Sequence, residues 1–390
     1  MGVVETQAAA SPAPARTARS NSAATDEWVV GPVRRTYDGP WTGIAVDVDG
    51  VPVSFEVLDH APSRRVEALL TAFAPAALSA GATLRTAEPV DPGWLEGVGR
   101  AAALMGTWWG HGADAPVQAP LAAALPDEAA ATGGAAGDGV GLCFTGGVDS
   151  FWSLLHGHHS PTHLVHIVGY DARPDDTPRI DDQLVTVRAV ADAHGLETLF
   201  VRTDLRDHHH ALAAGWEQLH GAALAAVGIL LCDVIGRLVI PPSYPEWMAF
   251  PWGSHPALDR LWSLPGVLDV EHGPADESRL DRLTAIVAEP LARRYLRVCW
   301  EHRSEAANCG ACEKCIRTMV MLVAAEVDQV CATFPPVDDL PARVRALAGL
   351  PEKCWTLWVG LHESSLPAEL HDAVAATIPR FDPAQRLAVH

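Results

Sequence analysis

Two stretches of the chain carry residues whose types and spacing can do chemistry. The first is Val140-Gly141-Leu142-Cys143-Phe144-Thr145-Gly146-Gly147-Val148-Asp149-Ser150-Phe151. The apolar run Val140 to Phe144 reads as a short buried strand. Thr145 to Ser150 is a tight, glycine-rich turn, and Phe151, Leu154 and Leu155 recur behind it at helical spacing. A strand, a glycine turn and a helix start collect several backbone N–H groups around one spot, with the positive end of the helix dipole aimed at it. That arrangement binds anions, and phosphate is the usual one. The turn lacks the Gly-Lys-Ser/Thr ending of a Walker loop and the third glycine of a nicotinamide-binding fingerprint.

The second stretch is Cys299-x9-Cys309-Gly310-Ala311-Cys312-Glu313-Lys314-Cys315. Three cysteines at i, i+3 and i+6, with one upstream, supply four thiolates, as in a closed tetrahedral zinc site. An iron–sulfur cluster uses overlapping spacing; zinc ranks first. With sulfur in all four positions no ligand place is left for water, so the metal would be structural and would tie its segment into a compact knob. Cys143 and Cys232 lie on apolar elements and read as core.

The elements that must position these motifs follow an α/β rhythm. Beyond the glycine turn, strands are expected at Leu164–Val168, Thr198–Val201 and Leu238–Ile240, with helices around 184–191, closed by Gly195, and from Trp216 to Cys232. Alternating strand and helix predicts a parallel, doubly wound sheet. Ligands in such sheets sit beyond the carboxyl ends of the strands, so the loops after Tyr170, Val201 and Ile240 should line the pocket that the glycine turn opens. The loop from Pro241 to Trp262 is proline-broken and aromatic, a candidate substrate cover. Tyr170, Asp171, Glu246, Trp247, Ser254 and His255 are the candidate substrate contacts. His208-His209-His210 reads as a solvated run, because adjacent residues do not share a helix face.

Upstream, residues 27–114 look like a small α+β domain. Ile44, Val46 and Val48 alternate, as do Val51, Val53, Phe55 and Val57, across Asp49-Gly50, a strong hairpin turn. Val66 to Phe73 and Leu95 to Trp109 follow a helical period. Trp108, Trp109 and His111 should pack against the neighbouring domain. Residues 1–26 read as a disordered tail, with a transit peptide as the sharper alternative. Residues 115–138 read as a linker, 139–330 as the nucleotide domain and 331–390 as a helical cap.

Composition narrows the function classes. At 390 residues the chain exceeds the usual size of one core. With 48% hydrophobic and 19% charged residues it has a soluble composition. A net charge of −20 argues against DNA or bulk RNA as partner. No apolar run approaches the ~20 residues of a membrane span. Eight cysteines in a chain this long are no disulfide scaffold, and their clustering argues for metal and a reducing cytoplasm. A homodimer is left open.

Thr145-Gly146-Gly147-Val148-Asp149-Ser150 resembles the Ser-Gly-Gly-x-Asp-Ser signature of the PP-loop ATP pyrophosphatases, which have an adenine nucleotide alpha hydrolase-like fold. Thr145 replaces the first serine and keeps a hydroxyl. The glycine turn followed by the four-cysteine motif, ending in Cys315-Ile316-Arg317, resembles the 7-cyano-7-deazaguanine synthase (QueC-like) branch over about residues 140–319. The resemblance implies ATP and Mg²⁺ at a loop formed by Phe144, Thr145, Gly146, Gly147, Val148, Asp149 and Ser150, and Zn²⁺ on Cys299, Cys309, Cys312 and Cys315. Asp149 and Ser150 would be the catalytic residues of that loop. The family's lysine before the zinc knob is missing, so Arg279 or Arg282 would have to serve. Its Tyr-Gly-Gln-like turn is replaced by Tyr170-Asp171-Ala172-Arg173, and its Arg-Asn pair by a stretch holding His220-Gly221.

These departures fall where substrate is read, which points to a different substrate. The expected reaction is adenylation of a small-molecule carboxylate, with release of pyrophosphate, then capture by ammonia or an amine to give an amide, a nitrile or a ligated product. A sulfur-transfer or other nucleobase-modifying enzyme of the same fold is one alternative. A non-catalytic zinc- and nucleotide-binding interaction protein is the other.

Overall fold

The structure, a computed structural model, describes residues 26–122, 137–248, 250–327, 331–347 and 354–378. The expected tail, up to residue 25, and most of the expected linker lie outside the described residues.

An eleven-stranded, mostly parallel sheet runs through the molecule. Its strands are β1 (Glu27–Val30), β2 (Arg34–Asp38), β3 (Trp41–Val48), β4 (Val51–Leu58), β5 (Thr83–Thr86), β6 (Val117–Gln118), β7 (Gly139–Cys143), β8 (His163–Val168), β9 (Glu197–Thr203), β10 (Ile235–Ile240) and β11 (Asp269–His272). Five strands form the parallel part in the order β9-β8-β7-β10-β11. The chain leaves β7 toward β8 on one side and later returns to β10 on the other. β7 and β10 therefore flank a topological switch point, where open α/β sheets keep their ligands.

Both faces of this part are buried, and period-two alternation sorts the side chains. Leu142, Leu164, Phe200 and Val239 enter one core, while Cys143, Val165, Leu199, Val201 and Leu238 enter the other. On the first face lie α3 (Val148–His156), α4 (Thr177–His194), α8 (Arg279–Ile286), α9 (Pro290–Tyr295), α10 (Glu313–Ala324) and three C-terminal helices, α11 (Leu340–Arg345), α12 (Trp355–His362) and α13 (Ala368–Thr377). On the other face, α6 (Trp216–Leu230) packs on α1 (Val66–Ala80). Ala222, Ala225 and Ala226 on one helix and Ala68, Ala72 and Ala76 on the other are all buried, and small side chains permit a close approach. The short α5 (His209–Ala214) and α7 (Pro256–Asp259) bracket α6 in sequence, and α2 (Pro92–Trp109) completes this layer.

Residues 27–114, read from sequence as a module of their own, are the other half of the same sheet. β4 pairs antiparallel with β9, in the register Phe55↔Thr203 and Val57↔Val201. Without β4, β9 would be an open edge. The β3–β4 turn forms as expected, with Asp49 at φ 54° and Gly50 at φ 77°. One hydrophobic core runs from Trp28 to Val270 and holds residues of both halves. Trp108 and His111 pack across the junction, against His255 (ring centroids 4.9 Å apart) and Gln218 (2.8 Å).

Candidate functional site

The glycine turn emerges from β7 as the sequence predicts. Gly146 sits at φ +75°, a left-handed conformation that glycine adopts without strain. Gly147 caps α3, whose first internal bond runs from Phe151 N–H to the Gly147 carbonyl. The N–H groups of Val148, Asp149 and Ser150 thus have no acceptor within the helix. They open onto a cleft of about 220 Å³ walled by the turn, by Tyr170 and Asp171 after β8, and by Pro241 and Ser243 after β10. This is the switch point between β7 and β10.

Asp149 lines the cleft half-buried, and two arginines of α8 hold it. Arg279 Nη2 donates to its Oδ2 at 2.6 Å and Arg282 Nη1 to its Oδ1 at 3.2 Å. The same nitrogens also donate to the carbonyls of Ser243 (2.9 Å) and Pro242 (2.6 Å). Asp149, α8 and the loop after β10 are thereby locked together. Arg282 is fully buried, with its guanidinium 5.1 Å over the Trp152 ring, while Arg279 lines the cleft. Burial pushes the Arg282 pKa down, and Asp149 counters this. Ser150 is buried, and its hydroxyl donates to the Gly147 carbonyl at 3.1 Å. Phe144 packs behind the loop, edge-on to Phe151.

Two cations in the wall escaped sequence reasoning. Arg297 pins the turn through its own N–H to the Gly146 carbonyl (2.8 Å) and its guanidinium to the Thr145 carbonyl (3.0 Å). Lys314 stands inside the four-cysteine motif, where it reads as a spacer, yet it lines the cleft. Burial and nearby Arg279 push its pKa down, against Asp171 and Asp149. Several guanidinium nitrogens here are buried and have no hydrogen-bond partner among the described residues: Nε of Arg279, Nε and Nη2 of Arg282, and Nη1 of Arg297. Buried donors are rarely left unpaired; Arg279 and Arg297 also line the cleft and make it cationic.

The other wall belongs to α6. Trp216 and His220 line the cleft. Tyr170 also lines it, but its hydroxyl is engaged with the Ala223 carbonyl at 2.8 Å, so only its ring is offered. His220 Nδ1 donates to the Trp216 carbonyl at 3.1 Å, which leaves Nε2 as the unprotonated nitrogen. Burial pushes its pKa down, and Asp259 partly offsets this. Asp259, itself fully buried, accepts from Ser254 Oγ (2.8 Å), His272 Nδ1 (2.7 Å) and the His255 N–H (3.2 Å). That node ties the loop after β10 to the end of β11.

The predicted substrate contacts therefore divide. Tyr170, Asp171 and Ser254 are in the wall. Glu246 and Trp247 are exposed and are not part of the cleft wall; the Glu246 N–H is held by the Ala275 carbonyl. His255 caps α7 and faces Trp108. Much of the aromatic loop packs on itself, with Tyr244, Phe250 and Trp252 edge to edge.

Below the cleft, Cys299, Cys309, Cys312 and Cys315 are all buried, and their sulfurs lie within 4.8 Å of one another. The Cys299–Cys312 and Cys309–Cys315 Sγ distances are 4.0 and 3.9 Å. A tetrahedron with Zn–S of about 2.3 Å has edges of about 3.8 Å, so the four sulfurs form a candidate zinc site. Backbone N–H groups of His302, Ala311, Cys312 and Cys315 point at the sulfurs from 3.3 to 3.5 Å, as thiolates require. Cys143, Cys232, Cys331 and Cys354 are also buried. Cys143 reaches the cleft, but burial pushes its thiol up to about 12. Among the described residues no helix is long and apolar enough to cross a membrane.

No protein-family model, no curated protein and no solved structure matches this chain.

Proposed function

We propose that the chain is an ATP-dependent, AMP-forming ligase of the PP-loop ATP pyrophosphatase type, acting on a small-molecule carboxylate and ammonia or an amine. The observation that carries this reading is the ring of donors around the glycine turn. The first-turn N–H groups of α3, Arg279, Arg297 and Lys314 converge on one cleft at the switch point of a parallel sheet, and Arg279 Nε and Arg297 Nη1 have no partner among the described residues. A chain of phosphates meets such a set better than a single carboxylate does.

In this reading the pyrophosphate end of ATP lies along Thr145 to Ser150. Arg279, Arg297 and Lys314 neutralise the charge that builds as pyrophosphate leaves. Asp149 holds Arg279 and Arg282 in place, so Asp171 is the cleft carboxylate left to face the nucleotide's Mg²⁺. A substrate carboxylate oxygen attacks the α-phosphorus and the bond to pyrophosphate breaks. The nitrogen nucleophile then attacks the acyl carbon, AMP departs with the transferred oxygen, and the nitrogen's proton passes to His220 Nε2. Zn²⁺ on the four cysteines is structural, with no ligand position for water. It fixes the start of α10 and, with it, Lys314. The clustered thiols suit a reducing, cytoplasmic setting.

Sulfur transfer is the weaker reading, since it needs a reactive thiol at the loop and Cys143 is held protonated. The test is exchange of labelled pyrophosphate into ATP, with Mg²⁺ and a panel of carboxylic acids. Exchange that depends on one acid class is expected; ATP hydrolysis to ADP with no exchange rules the reading out.

A further inference from the structure

The three adjacent histidines read from sequence as a solvated run are not one. His208 is buried and caps α5. His210 is stacked on Trp28, with ring centroids 3.5 Å apart and planes 14° from parallel. Adjacent histidines share no helix face, but the β3–β4 turn brings Asp49 to them from about 160 residues upstream.

Asp49, His209 and His210 each present one ligand atom, and these atoms lie within 4.8 Å of one another. Asp49 is fixed at φ 54° by the tight turn, ahead of Gly50. The His210 ring is fixed by Trp28. His210 Nε2 is buried, has no hydrogen-bond partner among the described residues, and sits 3.4 Å from Asp49 Oδ2. The His209 ring lies 3.9 Å from the His210 ring, centroid to centroid. At 3.4 Å the carboxylate pairs with His210 only when the imidazole is protonated, and the same separation suits two donors each about 2.0–2.2 Å from one ion.

We propose that Asp49, His209 and His210 form a second metal site, for a divalent transition ion of the zinc class. Two imidazoles and a carboxylate are the donor set such ions prefer, and calcium or magnesium would want more oxygen. Three protein donors leave one position to water. Its place in the fold gives it a role: it staples the hairpin turn of the N-terminal half to the start of α5, which follows β9 of the parallel half.

Zinc content of the full chain, after equilibration with Zn²⁺ alone at fixed free concentration, tests this. Two zinc ions per chain are expected, one on the four cysteines and one here. Asp49→Asn keeps a residue tolerant of positive φ, His209→Ala changes an exposed side chain, and His210→Phe keeps the stack on Trp28, so each variant should fold. Each should weaken the second zinc by at least about tenfold and leave the first in place. Two zinc ions retained at unchanged affinity in all three variants overturn the proposal. So does a parent chain that binds zinc only on its cysteines.

Discussion

Arg279 Nη2 lies 2.6 Å from Asp149 Oδ2, which ties the helix after β11 to the first turn of the helix after β7. The carboxylate therefore serves first as an anchor. Its other oxygen takes Arg282, a side chain with no exposure at all, so a half-buried carboxylate at the cleft holds one half-buried and one fully buried arginine. Removing one member of such a group strands the others. Asp149→Asn is expected to lower stability by about 3 kcal/mol or more, read as the urea midpoint, and to abolish ATP binding. An unchanged midpoint would show that the arginines find other partners.

The cysteine knob and the cleft share a helix. Cys312 caps α10, Cys315 is in its first turn, and Lys314 between them lines the cleft. Cys315→Ser should lose the bound zinc and broaden thermal unfolding, because the knob's core includes Ile316, Val320 and Trp358. ATP affinity should fall with it. Full ATP affinity in a zinc-free variant would separate the two sites.

His220 is assigned the proton of the incoming nitrogen. Its folded pKa is pushed below the ordinary histidine value, with burial the larger cause and Asp259 the counterweight. It is therefore a free base at neutral pH. His220→Gln should cut kcat by roughly a hundredfold while pyrophosphate exchange, which precedes nitrogen attack, stays near the parent rate. An equal loss in both would place His220 in substrate binding instead.

His166 makes acid stability legible. It is buried beneath the turn, its Nδ1 donating to the Phe144 carbonyl at 2.9 Å. Its Nε2 lies 3.0 Å from Gln183 Oε1, while Gln183 Nε2 has no partner among the described residues. Turning that amide over lets Gln183 donate to a neutral imidazole. Burial, then Arg297, lower the His166 pKa. The unfolded chain takes up this proton near pH 6.5, whereas the native state resists it. The contribution is therefore complete above about pH 6.5 and is lost as pH falls below it. His163, His208, His210, His220 and His255 are shifted the same way, all chiefly by burial. Denaturant midpoints from pH 8 to pH 5 should fall steeply, and His166→Gln should flatten the fall by up to about 1.4 kcal/mol per pH unit. An identical slope would mean that His166 titrates normally.

Where the signal was local, the sequence was readable. Hydroxyl, glycine and aspartate at fixed offsets announce the turn, and four cysteines announce a candidate metal site. Gly195 closes α4 at φ 67°, as read. Contacts made across long separations were not readable. The pairing of β4 with β9 joins segments about 150 residues apart, and neither strand differs in pattern from an edge strand. β11, Asp-Val-Glu-His, is too polar to look buried, because it closes the outer end of the sheet. Arg297 and Lys314 carry no motif of their own and matter only because the chain brings them back beneath the turn. Loop position alone points to Glu246 and Trp247 as pocket residues, but loop position does not fix which side of the loop faces the cleft, and both stay outside its wall.

The central claim concerns which phosphorus of ATP reacts, and the products decide it most directly. With ATP, Mg²⁺, ammonia and the competent acid, the chain should release AMP and pyrophosphate in equal amounts, matched by the amide or a product formed from it. Release of ADP and phosphate, from the parent chain but not from Asp149→Asn, would contradict the account.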